Sequence, residues 1–264
     1  MHAQDPLVFD PASAAGKPEN IRHRENPCPF CNVEGLTDVI RRDGDMIWLV
    51  NKFRTLRNTM QTVLIESAEH TGDTVTYAPA EWRRIMRFAV ECFEEMRTSG
   101  KYESVLMFKN YGPLSGGTLL HPHMQIVGLD DKDGYSEVSP ENLEGAVAFA
   151  GAGVEVNVAT RPVMGFTEFN VAMSDSLEAV DTFADAVRET VRYALLSYHG
   201  GTCDSYNLFF FHMGGKFVCR VILRWVASPY FIGYRISQVN CPEDVERVRA
   251  ELERALSGRL GDGA

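Results

Sequence analysis

The length, composition and charge of the chain exclude several classes of protein. Its 264 residues, 45% of them hydrophobic, can bury either one large core or two modest ones. The net charge of −10 at pH 7, with no concentrated stripe of Lys and Arg, argues against nucleic acid as a partner. No apolar run approaches the length of a membrane span and no charged-then-apolar leader is present, so we expect a cytoplasmic protein without a membrane partner.

The first half of the chain predicts an extended arm followed by strands and one helix. Residues 1–26 are polar and without periodicity, which is typical of an arm. The following pattern predicts strands at 46–51 and 61–66, a helix at 79–97, and strands at 103–109 and 121–129. Apolar residues recur at helical spacing within the helix, at Trp82, Ile85, Met86, Ala89, Val90 and Phe93.

The second half repeats this order of elements. The pattern predicts strands at 152–159, 166–173, 206–212, 216–225 and near 230–236, and helices at 176–198 and 242–256. Residues 130–151 are rich in Asp, Gly, Ser and Glu and suit a linker. We therefore expect an arm at 1–26, a first α+β unit at 27–135 and a second, degenerate unit at 145–264.

The most informative motif is His121-Pro122-His123-Met124-Gln125, which we predict to lie on a strand. Because strand side chains alternate between faces, His121, His123 and Gln125 would share one face at intervals of about 6–7 Å. At this spacing one imidazole can hold a metal ion while the other faces a substrate. Pro122 lacks a backbone N–H, which favours an edge position or the first residues of the strand, open on one side. The alternative is two ordinary histidines in a half-buried strand.

The cysteines divide into one close pair and four scattered residues. Cys28 and Cys31 are separated by two residues in a turn that can direct both sulfurs at one ion, and two thiolates with two imidazoles make a tetrahedral zinc site. The other four lack the spacing of a disulfide framework and are interpreted as buried small hydrophobic residues: Cys92, Cys203, Cys219 and Cys241.

The motif around the paired histidines carries a family resemblance. Asn110-x-Gly112, then Gly116-Gly117-Thr118, then the His-Pro-His-x-Gln run resembles the histidine-triad superfamily. Within it the chain is most similar to the galactose-1-phosphate uridylyltransferase branch, including a smaller bacterial group of that branch. The resemblance implies duplicated histidine-triad-like α+β units with a mainly antiparallel sheet and packed helices.

The resemblance also implies a nucleophile and a structural metal ion. His123 takes the place of the nucleophile, and a neutral imidazole is a good nucleophile toward an α-phosphorus. Gln125 is expected to donate to the transferring phosphoryl oxygens. Four protein ligands leave a zinc ion no open position, so the ion would be structural. The implied ligands are Cys28, Cys31, His70 and His121.

Further positions are implied to bind substrate. Asn51 and Phe53 correspond to the nucleoside pocket, although a strand-end turn with a core Phe is an equal alternative. The loop with Asn110, Gly117 and Thr118 can offer backbone N–H groups and a hydroxyl to phosphate. Lys109 either meets the nucleotide phosphates or, as the favoured alternative, caps a solvated face.

The second half departs from the family pattern. The family builds a second metal site there from a glutamate and three histidines, whereas this chain offers only His199 and His212, with Cys219 on the matching strand. We expect that site to be lost, with a remnant at His212 and Cys219 as the alternative. Arg235 replaces a hexose-contacting glutamate, which would suit an anionic acceptor and puts galactose 1-phosphate in doubt.

These observations predict a zinc-containing nucleotidyltransferase of the uridylyltransferase type. It would move a nucleoside monophosphate from a nucleoside-diphosphate donor, such as a nucleotide sugar, to a phosphate-bearing acceptor, and the resemblance implies a homodimer. One alternative is a nucleoside-diphosphate-sugar or dinucleoside-polyphosphate phosphorylase or hydrolase of the same fold. Another is a non-catalytic, zinc-stabilised nucleotide-binding protein.

Overall fold

The structure is a computed structural model that describes residues 6–225 and 228–260. Within these residues the chain forms two compact units that interleave along the sequence. The first contains residues 6–72, 88–109 and 117–136, and the second contains residues 73–87, 110–116, 137–225 and 228–260. Both combine helices with antiparallel strands, so the predicted α+β class is confirmed.

The first unit is built on five antiparallel strands, preceded by the short helix α1 (Pro11–Ala14). The strands lie in the order β1-β2-β3-β5-β4, and helix α2 (Pro79–Thr98) connects β3 to β4 along the chain. All six apolar residues predicted to line this helix are buried. The strand bounds are β1 Val39–Asp43, β2 Met46–Val50, β3 Thr59–Ile65, β4 Ser104–Tyr111 and β5 His123–Leu129.

The second unit repeats this strand order with β6-β7-β8-β10-β9. Its helix α3 (Val180–Leu196) connects β8 to β9, and helices α4 (Pro229–Tyr234) and α5 (Pro242–Leu256) follow the last strand. The strand bounds are β6 Gly145–Gly151, β7 Val154–Ala159, β8 Glu168–Ser174, β9 Tyr206–Met213 and β10 Lys216–Leu223.

The two faces of the first sheet bury different groups. On one face His123 lies beside Ile65 in the strand register, and Gln125 lies between Val63 and Phe108. The aliphatic residues of this face form a core cluster against which Phe30 of the cysteine turn packs. The cysteine turn and the His123 side chain therefore belong to the same face of the sheet.

The prediction of an open, histidine-lined edge is wrong. Strand β5 is hydrogen-bonded to β3 on one side and to β4 on the other, so it is an internal strand of its unit. Pro122 lies immediately before the strand, where its missing N–H costs no ladder hydrogen bond, and its carbonyl accepts from Glu66 N at 3.1 Å. His121 also precedes β5, so the strict alternation of side chains begins only at His123.

Three other predictions about elements need correction. The strand expected near 230–236 is helix α4, which Ser228 caps by accepting from Phe231 N and which Pro229 begins. Strands β1 and β6 were not predicted, and β6 occupies the end of the segment interpreted as a linker. Both are edge strands with little burial, so their side chains show no clear alternation.

Candidate functional site

Four side chains of the first unit form a group that can hold a metal ion. One ligand atom from each of Cys28, Cys31, His70 and His121 lies within 4.8 Å of the others. Cys31 Sγ is 3.3 Å from His70 Nδ1 and 3.5 Å from His121 Nδ1. The two cysteines flank a 3-10 turn in which Cys31 N donates to Cys28 O, and this tight turn keeps both sulfurs on one side.

The orientation of His121 suits a metal ligand. Its Nε2 lies 2.9 Å from the carbonyl oxygen of Ser67, so Nε2–H donates and the Nδ1 lone pair faces Cys31 Sγ. Such a hydrogen bond to the outer nitrogen is what fixes the tautomer of metal-bound histidines. Two sulfurs and two imidazole nitrogens this close together are a ligand set that can hold a metal ion.

The two thiols of this group differ in acidity. Burial raises the pKa of Cys28, but the hydrogen bond with His121 and those with the backbone of Cys31 and Phe30 outweigh it and lower the pKa to about 6. Burial raises the pKa of Cys31, as do the hydrogen bond and negative charge of Cys28. One thiolate is therefore formed at neutral pH, and the thiolate is the form that binds metal.

One ring nitrogen of His123 is hydrogen-bonded to the backbone and the other is not. Its Nδ1–H donates to the carbonyl of His121 at 2.8 Å, so Nε2 carries the lone pair. The ring of Phe30 meets His123 edge-on with centroids 5.4 Å apart, and meets His121 in the same way at 5.8 Å. Burial lowers the pKa of His123 to about 4, against the backbone hydrogen bond, with help from the charges of Lys109 and Lys17.

Gln125 lies two residues beyond His123 on the same face of β5, and both side chains are half-buried. This agrees with the period of a strand. Segment 117–118, which precedes the histidines, belongs to the same unit, and the carbonyl oxygen of Thr118 accepts from the backbone N–H groups of Asn20 and Ile21.

The N-terminal arm, residues 6–26, is part of this site, which sequence reasoning missed. Phe9 pairs with Leu56 in an antiparallel bridge. Farther along, Gly16 lies so close to Phe53 that an added Cβ would be 3.3 Å from the ring. The arm thus runs along the segment that contains Asn51 and Phe53. Its polar, aperiodic sequence carries no signal of this docking.

Asn51 and Phe53 form a turn at the end of β2. Asn51 Oδ1 accepts from Phe53 N at 2.9 Å, and Asn51 N donates to Gln61 O at 2.9 Å. The hydrogen bond from Phe53 N to the Asn51 side chain is typical of an Asx turn, which agrees with the alternative of a strand-end turn with a core Phe. The Phe53 ring is half-buried.

Both predictions for Lys109 are wrong. Its side chain is 1% exposed and its Nζ lies 2.5 Å from Oε1 of Glu66, which is itself fully buried. Lys109 pairs in register with Met124, and the alternation along β4 turns it to the face opposite His123. A terminal position in a strand suggested solvent, but the neighbouring carboxylate allows the ammonium to be buried.

Asn110 and Arg235 belong to the second unit. Asn110 Oδ1 accepts from Asn207 Nδ2 at 2.6 Å, and the same Nδ2 donates to Ser115 O at 3.0 Å. Asn207 therefore holds both ends of the loop. Arg235 is exposed and adopts a left-handed conformation with φ of 54° as the C-cap of α4.

The histidines and cysteines of the second unit have other surroundings. His212 Nε2 is 2.8 Å from Asp175 Oδ1, whereas Cys219 is fully buried. Burial raises the pKa of the Cys219 thiol well above its usual value. Within residues 6–225 and 228–260 the group around Cys28 is the one cluster with metal-binding geometry. Cys241 is exposed, so its interpretation as a buried residue is wrong.

None of the helices in the described ranges combines the length and apolar character that a membrane crossing requires. A curated relative, a di-/tripeptide transporter from Lactobacillus helveticus, is 32% identical over 100 residues. Those residues cover 36% of this chain and 19% of the transporter. The chain therefore spans about a fifth of that protein's length, and the likeness concerns one segment of each.

Solved structures share the fold. A uridylyltransferase is 17% identical, with coverage of 88% of this chain and 93% of that one and a TM-score of 0.68. An ADP-glucose phosphorylase from Arabidopsis thaliana is 16% identical, with coverage of 93% and 98% and a TM-score of 0.66. The chain therefore has the fold of these two proteins, which agrees with the fold that the resemblance predicts.

Family models and one solved structure identify a narrower group. The model described as the N-terminal domain of a domain of unknown function, DUF4931, matches residues 9–132, and the corresponding C-terminal model matches residues 135–256. The crystal structure of a DUF4931 family protein from Bacillus cereus is 37% identical, with coverage of 83% of this chain and 100% of that one and a TM-score of 0.75. The chain therefore belongs to the DUF4931 family.

Proposed function

We propose that the protein transfers a nucleoside monophosphate from a nucleoside-diphosphate-linked donor to a phosphate-bearing acceptor, through a covalent intermediate on His123. The observation that carries this proposal is the hydrogen bond from His123 Nδ1–H to the carbonyl of His121. It leaves the Nε2 lone pair as the reactive position of a neutral ring. A neutral imidazole held in one tautomer is an effective nucleophile toward phosphorus.

In the first step Nε2 attacks the α-phosphorus of the donor. A P–N bond forms while the bond from the α-phosphorus to the bridging oxygen breaks, and the leaving phosphate takes that electron pair. The Nδ1–H stays bonded to the His121 carbonyl, which stabilises the positive charge that the ring gains.

In the second step an oxygen of the acceptor phosphate attacks the same phosphorus. The P–N bond breaks and its electron pair returns to Nε2, which restores the neutral ring. Dividing the reaction in two avoids bringing two anionic substrates together at one phosphorus.

Cys28, Cys31, His70 and His121 would hold a zinc ion, which would supply a rigid crosslink between the cysteine turn and the strand start without an open position for substrate. Two neighbours of this metal group position His123. The backbone carbonyl of His121 orients the His123 ring, and Phe30 packs against the imidazoles of both histidines.

The remaining predicted site residues are assigned as binding groups in this proposal. Gln125 donates to the transferring phosphoryl oxygens from the face of β5 that carries His123. Asn51 and Phe53 contact the nucleoside. The phosphate contacts come from Gly117 and Thr118, which belong to the same unit as His123, whereas substrate binding by Asn110 and Arg235 of the second unit stays a prediction.

Single-turnover labelling tests the covalent mechanism. The protein is incubated with radiolabelled UDP-, ADP- and GDP-sugars, and acid-labile label on the chain is measured. We expect labelling with at least one donor and none in His123→Ala. His23→Ala serves as the matched control, because His23 is an exposed histidine of the arm with 65% of its side chain accessible.

Two results would redirect the proposal. If no donor labels the wild type, the covalent mechanism is wrong. If the wild type shows no measurable turnover and His123→Ala binds nucleotide as the wild type does, the protein is a non-catalytic binding protein. Product analysis with and without inorganic phosphate then separates transfer to a phosphorylated acceptor from phosphorolysis and hydrolysis.

A further inference from the structure

Asn20 fastens the N-terminal arm to the segment that precedes the paired histidines. Its backbone N donates to Thr118 O at 2.9 Å, and its side-chain Oδ1 accepts from Leu120 N at 2.8 Å. Leu120 is the residue immediately before His121. Asn20 therefore holds the backbone on both sides of Leu119 in a fixed position relative to the arm.

The nitrogen atom of the Asn20 side-chain amide differs from the oxygen atom in its hydrogen bonding. The residue is 1% exposed, and its Nδ2 makes no hydrogen bond with any residue that the structure describes. Because Oδ1 is committed to Leu120 N, rotating the amide by half a turn would only exchange this orphan donor for an orphan acceptor and a clash between two donors. A buried donor without an acceptor costs about 1–3 kcal/mol.

The surroundings of this donor favour an anionic acceptor. Lys17 lies three residues earlier in the arm, and its positive charge acts on His123. Thr118 and Leu120 belong to the segment that leads into the histidines, so the Asn20 amide is fastened to the backbone that ends one residue before His121. Amide donors and ammonium groups in this combination are typical of phosphate sites.

We propose that Asn20 is a substrate-binding residue, whose Nδ2 donates to a phosphoryl oxygen of the donor nucleotide while its Oδ1 holds Leu120 N. The inference rests on the proposed function, since it requires a phosphorylated ligand at His123. It assigns to the arm a role in recognition in addition to its role in packing.

Asn20→Asp separates the two roles of the amide. The carboxylate keeps an oxygen that accepts from Leu120 N, so the backbone contact is retained, but it cannot donate to phosphate. Ala15→Asp is the matched control, because it adds the same charge at an exposed position of the arm without touching the amide. We measure the donor concentration that gives half-maximal labelling of His123, using the UDP-, ADP- or GDP-sugar that labels the wild type.

We expect Asn20→Asp to raise this concentration at least about tenfold, the effect of losing one hydrogen bond to a charged group. Ala15→Asp should change it less than about twofold, because an exposed charge is screened. Bound metal should match the wild type in both variants, whereas the buried carboxylate of Asn20→Asp should lower the melting temperature, so labelling is measured at a temperature at which every variant is folded. Equal effects of the two substitutions, or no effect of Asn20→Asp, would overturn the proposal.

A second measurement does not depend on the fold of a variant. The side-chain amide protons of Asn20 are followed by NMR in the wild type during addition of the same nucleotide. They should shift with the nucleotide and remain unchanged with the parent nucleoside, which lacks phosphate. An unchanged amide in a protein that is labelled on His123 rejects Asn20 alone, whereas failure of every donor to bind or label rejects the proposed function as well.

Discussion

The two units share one strand order but use their hydrogen-bonding groups in different ways. In the first unit, strand β5 carries His123, whose Nδ1 is bonded to the His121 carbonyl, near four side chains suited to a metal ion. In the second unit, the strand at the corresponding place in the order, β10, carries Arg220, which is 2% exposed. Its guanidinium lies 3.6 Å from Glu168, 3.1 Å from Asn142 O and over the ring of Phe211.

The difference shows that the two units of a duplicated fold can have different roles. The buried groups around Arg220 bond to their neighbours, and Glu168 also accepts from the backbone N–H groups of Val163 and Met164. Burial raises the pKa of Glu168, and the charge of Arg220 opposes that rise. Such a network supports a core, whereas the first unit carries the four side chains that could hold a metal ion and the histidine that we propose as the nucleophile.

The largest effect is expected from loss of the metal group. Cys31→Ser should abolish stoichiometric metal binding and lower the free energy of unfolding by at least about 3 kcal/mol, since structural zinc contributes directly to folding. Cys241→Ser is the control, an equally exposed cysteine of the second unit. Metal analysis and urea titration measure both, and a metal-loaded, stable Cys31→Ser protein would contradict the metal assignment.

A second large effect is expected from the buried ion pair of the first unit. Lys109→Met removes the ammonium beside the buried Glu66 carboxylate, which should cost about 3–5 kcal/mol of unfolding free energy. Arg161→Met, which breaks an exposed pair with Glu141, should cost less than about 1 kcal/mol. Chemical denaturation compares them. Similar losses in the two variants would mean that the Lys109 pair is solvated.

An intermediate effect is expected from Asn207, which holds the loop of the second unit. Asn207→Ala removes the donor to Asn110 and to Ser115 O, so the loop loses its anchor. The free energy of unfolding should fall by about 1–3 kcal/mol, with bound metal unchanged. His212→Ala, which removes only a surface contact to Asp175, should cost less than about 0.5 kcal/mol. Chemical denaturation measures both variants, and equal losses would mean that Asn207 does not anchor the loop.

The smallest effect is a difference in cysteine reactivity. Burial raises the pKa of Cys92 to about 12 and that of Cys219 well above its usual value, so both should resist iodoacetamide at pH 8 in the native protein. Cys241 is exposed and should react. Peptide mass spectrometry after timed quenching reads the result. Rapid labelling of Cys219 would show that this cysteine lies outside the core.

The candidate site could be predicted from the sequence where its chemistry requires a fixed spacing between residues. The Cys-x-x-Cys turn could be predicted because two sulfurs on one ion leave few arrangements, His70 and His121 were implied by the family resemblance, and helix α5 was predicted at its observed bounds. The apolar lining of α2 could be predicted for the same reason, since periodicity reports burial directly.

The remainder depends on contacts between distant parts of the chain. Nothing local to Lys109 indicates that Glu66 lies beside it, 43 residues away in sequence. Asn20 meets Leu120 across 100 residues, in an arm without periodicity. Helix α4 was mistaken for a strand because aromatic and β-branched residues favour strands, whereas Ser228 and Pro229 set a helix start.

The internal position of β5 has a consequence for local opening of the structure. Because this strand is tied to neighbours on both sides, its amides can exchange with deuterium only when the surrounding ladder opens as a whole. The ring nitrogen of His123 that we propose as the nucleophile therefore lies on a strand whose amides are expected to exchange slowly.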